Sequence, residues 1–152
     1  MDQIELLKAK GIIVTELKNK RNELRKQWEE TFAKHLSKSQ KRKIYLHQHL
    51  WHIFSYNKLS CLEEQKARDA FNKTKKEACY IFYQDNEYVL LLENITSLKA
   101  EDIINENEDY VDDVYVVDKN FQWTYILTHE YFCGPYFYNK WGNSNFRFCK
   151  YS

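Results

Sequence analysis

Two segments in the second half of the chain constrain the fold more than anything else in it. ACYIFYQDNEYVLLLEN (78–94) and DVYVVDKNFQWTYILTHE (113–130) each set two runs of aromatic and β-branched residues around a short polar break. Asp85 and Asn86 in the first, and Asp118 to Asn120 in the second, tolerate turn geometry, so each segment predicts a β-hairpin. In the second hairpin Val114 and Val116, with Trp123, Tyr125 and Leu127, alternate toward one face. The all-apolar VLLL run predicts a strand covered on both sides. Four strands in two hairpins call for one antiparallel sheet, whose apolar face must be covered by another layer.

The first half supplies that layer. Asp2 with Glu5 forms a capping-box pattern before a short helix, and Gly11 supplies its left-handed stop. Ile12 to Leu17 is a brief extended segment. From Asn19 the spacing of Leu24, Trp28, Phe32, His35 and Leu36 predicts an amphipathic helix with one buried stripe. Ser37 and Gln40 cap a further short helix, YLHQHLWHIFSY is open between helix and strand with a strand favoured at Leu50 to Ser55, and Ser60 with Glu63 opens a helix in which Leu62, Ala67, Ala70 and Phe71 pack. Thr96 or Ser97 caps a short acidic helix anchored by Leu98, Ile103 and Ile104. The expected fold is a single two-layer α+β domain over 1–152, N-terminal helices packed on an antiparallel sheet, with an irregular tail over 139–152. The chain of 152 residues, 43% hydrophobic and 16% aromatic, suits one packed core and leaves no room for two.

No run approaches the roughly 18 apolar residues of a membrane span, and the start MDQIELLKAKG lacks the apolar stretch of a signal peptide. Cys61, Cys79, Cys133 and Cys149 lie far apart with no C-x-x-C spacing, which in an unexported chain reads as reduced thiols in a cytoplasm.

Net charge is +1, yet it is divided into two poles. Lys18 to Lys43 holds ten bases against three acids, and Asp85 to Asp118 holds eleven acids against Lys99 alone. Such poles are commonly solvated faces that partly neutralise each other.

WHIFSY (51–56), ACYIFYQ (78–84), LENITSL (92–98) and above all DVYVVDKNFQWTYILTHEYFCGPYF (113–137) resemble the bacterial family known as domain of unknown function 4275. The resemblance runs from LRKQWEETFAKHLS to GPYF and implies a cytoplasmic bacterial protein with no assigned activity. The motifs are aromatic and mark a fold. The NFQWTYILTHE hairpin is also similar to terminal strands of small immunity proteins of the toxin-neutralising kind.

Three functional readings stand side by side. The first is a non-enzymatic protein-interaction module, in the manner of an immunity or inhibitor protein, docking on a basic protein partner through an acidic face of Glu101, Asp102, Glu106, Glu108, Asp109, Asp112 and Asp113 with Tyr110 and Tyr115 as anchors. The second is a small metal- or cysteine-dependent enzyme using His52, His129, Glu130 and Cys133. Neighbours on a strand face opposite ways, which separates His129 from Glu130 unless the strand ends between them. Gly134 and Pro135 break any helix that joins His129 to Cys133. The bland account of the segment is a strand end, with Thr128, His129 and Glu130 bonded to backbone. HQHLWH adds His47, His49 and His52, but neither helix nor strand gathers all three on one side, so no metal or cofactor is expected. The third reading is nucleic-acid binding by the basic stretch Lys18 to Lys43, disfavoured because its aromatics fall on the core stripe and the sequence pI is about 7.6.

Overall fold

The computed structural model describes residues 2–106 and 111–141. Helix α1 (Gln3–Ala9) opens on Asp2, whose carboxylate accepts the Glu5 N–H at 2.8 Å, and closes through Gly11 at φ +81°. A Cβ on Gly11 would meet nothing within 4 Å. Replacement by alanine therefore costs only the left-handed backbone strain, and we expect Gly11→Ala to lower stability by about 1 kcal/mol in urea unfolding.

Strand β1 (Ile13–Leu17) follows, then α2 (Arg21–Phe32), whose Leu24, Trp28 and Phe32 recur every four residues on the buried side. His35 does not continue that stripe: the helix has ended, and its exposed ring bonds the Lys58 carbonyl at 2.7 Å. Helix α3 (Lys38–Lys43) starts at a full capping box between Ser37 and Gln40. Leu50 to Ser55 is not a strand. It contains helix α4 (His52–Ser55), which buries Leu50, Trp51, Ile53 and Phe54 together, and this packing overrides the β-propensity of its aromatic and β-branched residues. Strand β2 (Leu62–Glu63) leads into α5 (Glu64–Lys73), which begins after Glu63 with no side-chain cap, in place of the expected Ser60 cap, and buries Ala67 and Phe71.

The two expected hairpins are present. The first is β3 (Ala78–Tyr83) with β4 (Val89–Glu93), and the second is β5 (Val114–Asp118) with β6 (Trp123–Leu127). Strand β7 (Tyr136–Asn139) extends the second after a cis Gly134–Pro135 bond, so ordered structure reaches into the stretch expected to be an irregular tail. The rest of that tail, from 142 on, lies outside the described residues. Between the hairpins, the expected acidic helix is reduced to one 3-10 turn, Ala100–Asp102.

All pairings are antiparallel, in the order β1-β4-β3-β5-β6-β7-β2. The fold is thus α+β with helices on an antiparallel sheet, as expected, and the sheet gains three strands at its edges. Helices also cover both of its faces. On one, Cys79, Ile81, Leu92, Val116 and Tyr125 pack with α1 and α5. On the other, Phe82, Tyr115, Val117 and Ile126 pack with α2 and α4 around Trp28. None of the helices among the described residues is long and apolar enough to cross a membrane.

Candidate functional site

The β5–β6 register builds the polar centre. Val114 pairs with Leu127, the last residue of β6, and this brings Asp113 beside the chain as it leaves the sheet. The carboxylate of Asp113, 1% exposed, accepts the His129 backbone N–H at 2.6 Å on Oδ1. The same oxygen lies 2.7 Å from His129 Nδ1, and Oδ2 lies 3.2 Å from His49 Nδ1. The two imidazoles face each other with centroids 5.3 Å apart. His49 arrives on the turn before α4, where the His49 N–H bonds the Tyr45 carbonyl, and Tyr45 holds a left-handed φ of 55°. His52, one helical turn on, packs at a tilt with its ring centroid 4.9 Å from that of His49, and its Nδ1 is 2.7 Å from the Ile44 carbonyl.

His129 and Glu130 do come together. The strand ends at Leu127, so the opposite-face rule no longer applies, and His129 Nε2 lies 3.3 Å from Glu130 Oε1. Cys133 is drawn elsewhere: its N–H donates to the Glu130 carbonyl, its carbonyl accepts the Thr128 hydroxyl at 2.5 Å, and its thiol shares a side-chain hydrogen bond with Tyr136. His47 is exposed, its carbonyl bonded by Arg25. The cluster with metal-ligand chemistry among the described residues is His49, Asp113 and His129, with one ligand atom from each within 4.8 Å of the others. Sequence reasoning missed this set because its members are 64 and 16 residues apart, and only strand register and the turn before α4 join them.

The acids of the expected docking face divide in two. Asp102 is buried against Lys10 at 2.5 Å and takes the Lys99 N–H at 2.8 Å. Asp112 is also buried, accepting the Asp85 N–H at 3.3 Å and the Asn86 amide at 3.2 Å. Asp113 is the centre just described. Glu101 and Glu106 are exposed, while Glu108, Asp109 and Tyr110 lie outside the described residues. Tyr115 is no surface anchor: it is fully buried, stacked on Phe82 with its hydroxyl bonded to Gln84. In the basic stretch, Arg21 bonds the carbonyls of Tyr83 and Gln84, and Lys20 and Lys41 pair with Glu23 and Glu29.

Burial opposes the charged form of His129, but the hydrogen bond and charge of Asp113, followed by Glu130 and Asp85, outweigh it and raise its pKa. His52 shifts the other way: burial, then the neighbouring His49 and His129, prevail over the Ile44 carbonyl and Asp113. A raised histidine pKa stabilises the fold fully below the unfolded value of 6.5, and this contribution disappears as pH rises through the folded value. We expect His129→Gln to lose more stability relative to wild type at pH 5.5 than at pH 8.5, in urea unfolding with chelator present.

No curated protein and no solved structure matches the chain. The profile of one family, described as "Domain of unknown function (DUF4275)", covers residues 1–137. The aromatic strand motifs and the Asp113-centred strand end fall within that span, and the chain belongs to the DUF4275 family.

Proposed function

We propose that the protein is an interaction module that docks on a basic protein partner through the end of the sheet where Asp112 and Asp113 lie. One observation carries this reading: Tyr131 and Phe132, neighbours on the β6–β7 loop, are 91% and 89% exposed. Each large ring left in water forgoes about 2 kcal/mol or more of burial. Paired exposed aromatics are the residues that anchor interfaces.

Hydrogen bonds bring further loops to the same end. Asn105 Nδ2 donates to the Thr128 carbonyl at 2.9 Å, the Asp112 N–H donates to the Asn105 carbonyl at 2.9 Å, and Asp112 holds the β3–β4 turn through Asp85 and Asn86. These loops expose Val111 and Tyr88 together with the acids Asp85, Glu87, Glu106 and Glu130. Apolar anchors within an acidic rim suit a basic surface, with charge raising the association rate and the aromatics supplying affinity. One-to-one neutralisation of such a partner, as by an immunity or inhibitor protein, is the role that fits. A reducing cytoplasm fits as well, supported by the free thiols of Cys79 and Cys133.

The buried acids change how the reading is tested. Reversing Asp112 or Asp113 to lysine would place an unpaired charge in the interior and unfold the end of the sheet before it reported on docking. The informative variant is Tyr131→Ser with Phe132→Ser, which changes only exposed side chains. Affinity capture at low and at moderate salt, wild type beside this variant, should yield a basic protein in stoichiometric amount that the variant fails to retain. A partner held equally by both would overturn the reading.

A further inference from the structure

We infer that His49, Asp113 and His129 form a site for one divalent transition-metal ion, Zn²⁺ foremost, with a fourth position open to solvent. Both imidazoles present Nδ1 to separate oxygens of one buried carboxylate, at 3.2 and 2.7 Å. Two ligand atoms on a tetrahedral zinc lie roughly 3.3 Å apart for bonds near 2.0–2.1 Å. One ligand atom from each of the three residues lies within 4.8 Å of the others, so rotation of the two partly exposed imidazoles closes the set on an ion. Two imidazole nitrogens with one carboxylate favour Zn²⁺, Co²⁺ or Ni²⁺ over the hard ions Mg²⁺ and Ca²⁺, which prefer all-oxygen shells.

The surroundings supply what such a site requires. The histidine side chains are 30% and 34% exposed while Asp113 is 1% exposed, so an ion has a way in and the carboxylate is fixed in place. A neutral imidazole that coordinates through Nδ1 carries its single proton on Nε2. For His129 that position already has an acceptor, Glu130 Oε1 at 3.3 Å, giving the carboxylate–histidine–metal chain that orients ligating histidines. Trp51 packs its ring at 5.6 Å from His49 and 6.0 Å from His129, and its buried indole N–H has no hydrogen-bond partner among the described residues. A donor left over beside the cluster suits a water or anion held in the fourth position.

The site stands apart from the docking reading, because metal binding is measured without any partner. The test uses the untagged full-length chain, stripped with chelator and dialysed, then titrated with Zn²⁺ alone and with Co²⁺ alone. One equivalent should bind per chain, with visible absorption of tetrahedral Co²⁺ and a rise of several degrees in Tm. His49→Ala and His129→Ala should weaken binding roughly a hundredfold or more, and Glu130→Gln roughly tenfold. His47→Ala, on an exposed histidine, should change nothing. The His49 and His129 side chains are partly exposed, so these variants should keep their near-ultraviolet circular dichroism, and the result does not depend on the buried Asp113. Absence of stoichiometric binding, or an equal loss in His47→Ala, would overturn the assignment and leave Asp113 as a hydrogen-bond acceptor only.

Discussion

Trp28→Ala is expected to cost about 4 kcal/mol, the largest loss of any single truncation on the helix-α2 face of the sheet. Trp28 is fully buried, and its ring meets Phe32 at 5.0 Å, Tyr115 at 5.9 Å and Phe54 at 6.4 Å, so it joins α2, α4 and β5 at one point. Its Nε1–H donates to Thr124 Oγ1 at 3.0 Å, and that hydroxyl in turn donates to the Val116 carbonyl at 2.9 Å. Alanine leaves a cavity the size of the indole, and truncations of this kind cost about 3–5 kcal/mol. Against a typical total stability of about 5–15 kcal/mol, the variant should sit near the folding threshold. Equilibrium urea unfolding followed by far-ultraviolet circular dichroism measures this directly. Trp28→Phe keeps most of the apolar area and loses the hydrogen bond, so it should cost roughly half as much. A loss below about 1 kcal/mol for the alanine variant would mean that Trp28 does not occupy the interior.

Asp113→Ala ranks second, with an expected loss of about 3 kcal/mol. The carboxylate receives the His129 N–H and lies within hydrogen-bonding reach of both histidine Nδ1 atoms. Its removal leaves the part-buried His129 N–H without its acceptor and strips both imidazoles of their shared carboxylate, each loss costing about 1 kcal/mol or more. The damage should be concentrated at the strand end. Amide exchange of residues 128–133 should accelerate well beyond that of β3 and β4, since Asp113 ties the Thr128–Cys133 loop to β5. Glu106→Ala, an acid of the same segment but exposed, should stay within about 0.5 kcal/mol of wild type. Equal effects at the two positions would contradict the division of the acidic segment into buried and exposed members.

What was legible in the chain follows from the range of the forces involved. The hairpins and α2 were readable because alternation and four-residue spacing are local records of which side is buried, as in Val114 with Val116 and Leu24 with Trp28. The caps at Asp2 and Ser37 were readable for the same reason. Strands β2 and β7 were not, being two and four residues long and held by pairing with each other and with β6. Leu50 to Ser55 misled because a short helix packed in the core through Ile53 and Phe54 carries the same β-branched and aromatic residues as a strand.

The site shows the same limit more sharply. Asp113 is one acid in a run of acids, and nothing in the run distinguishes the member that becomes buried. That distinction arises only when β5 and β6 pair and place it beside His129. His49 reads with its neighbours in sequence, His47 and His52, whereas the carboxylate it meets at 3.2 Å is 64 residues away. The exposure of Tyr131 and Phe132 was equally hidden, since an aromatic pair in a sequence rich in aromatics reads as core until the loop is seen to project.

The most direct measurement of the central claim is the affinity of the captured partner, by calorimetric titration, for the wild type and for the Tyr131→Ser, Phe132→Ser variant at two salt concentrations. Anchoring residues contribute about 2 kcal/mol or more each, so the account predicts a loss of roughly a hundredfold or more in the variant at both salts. The acidic rim adds a weakening with salt that the variant retains. An unchanged affinity in the variant would contradict the account, because the exposed aromatic pair would then play no part in docking.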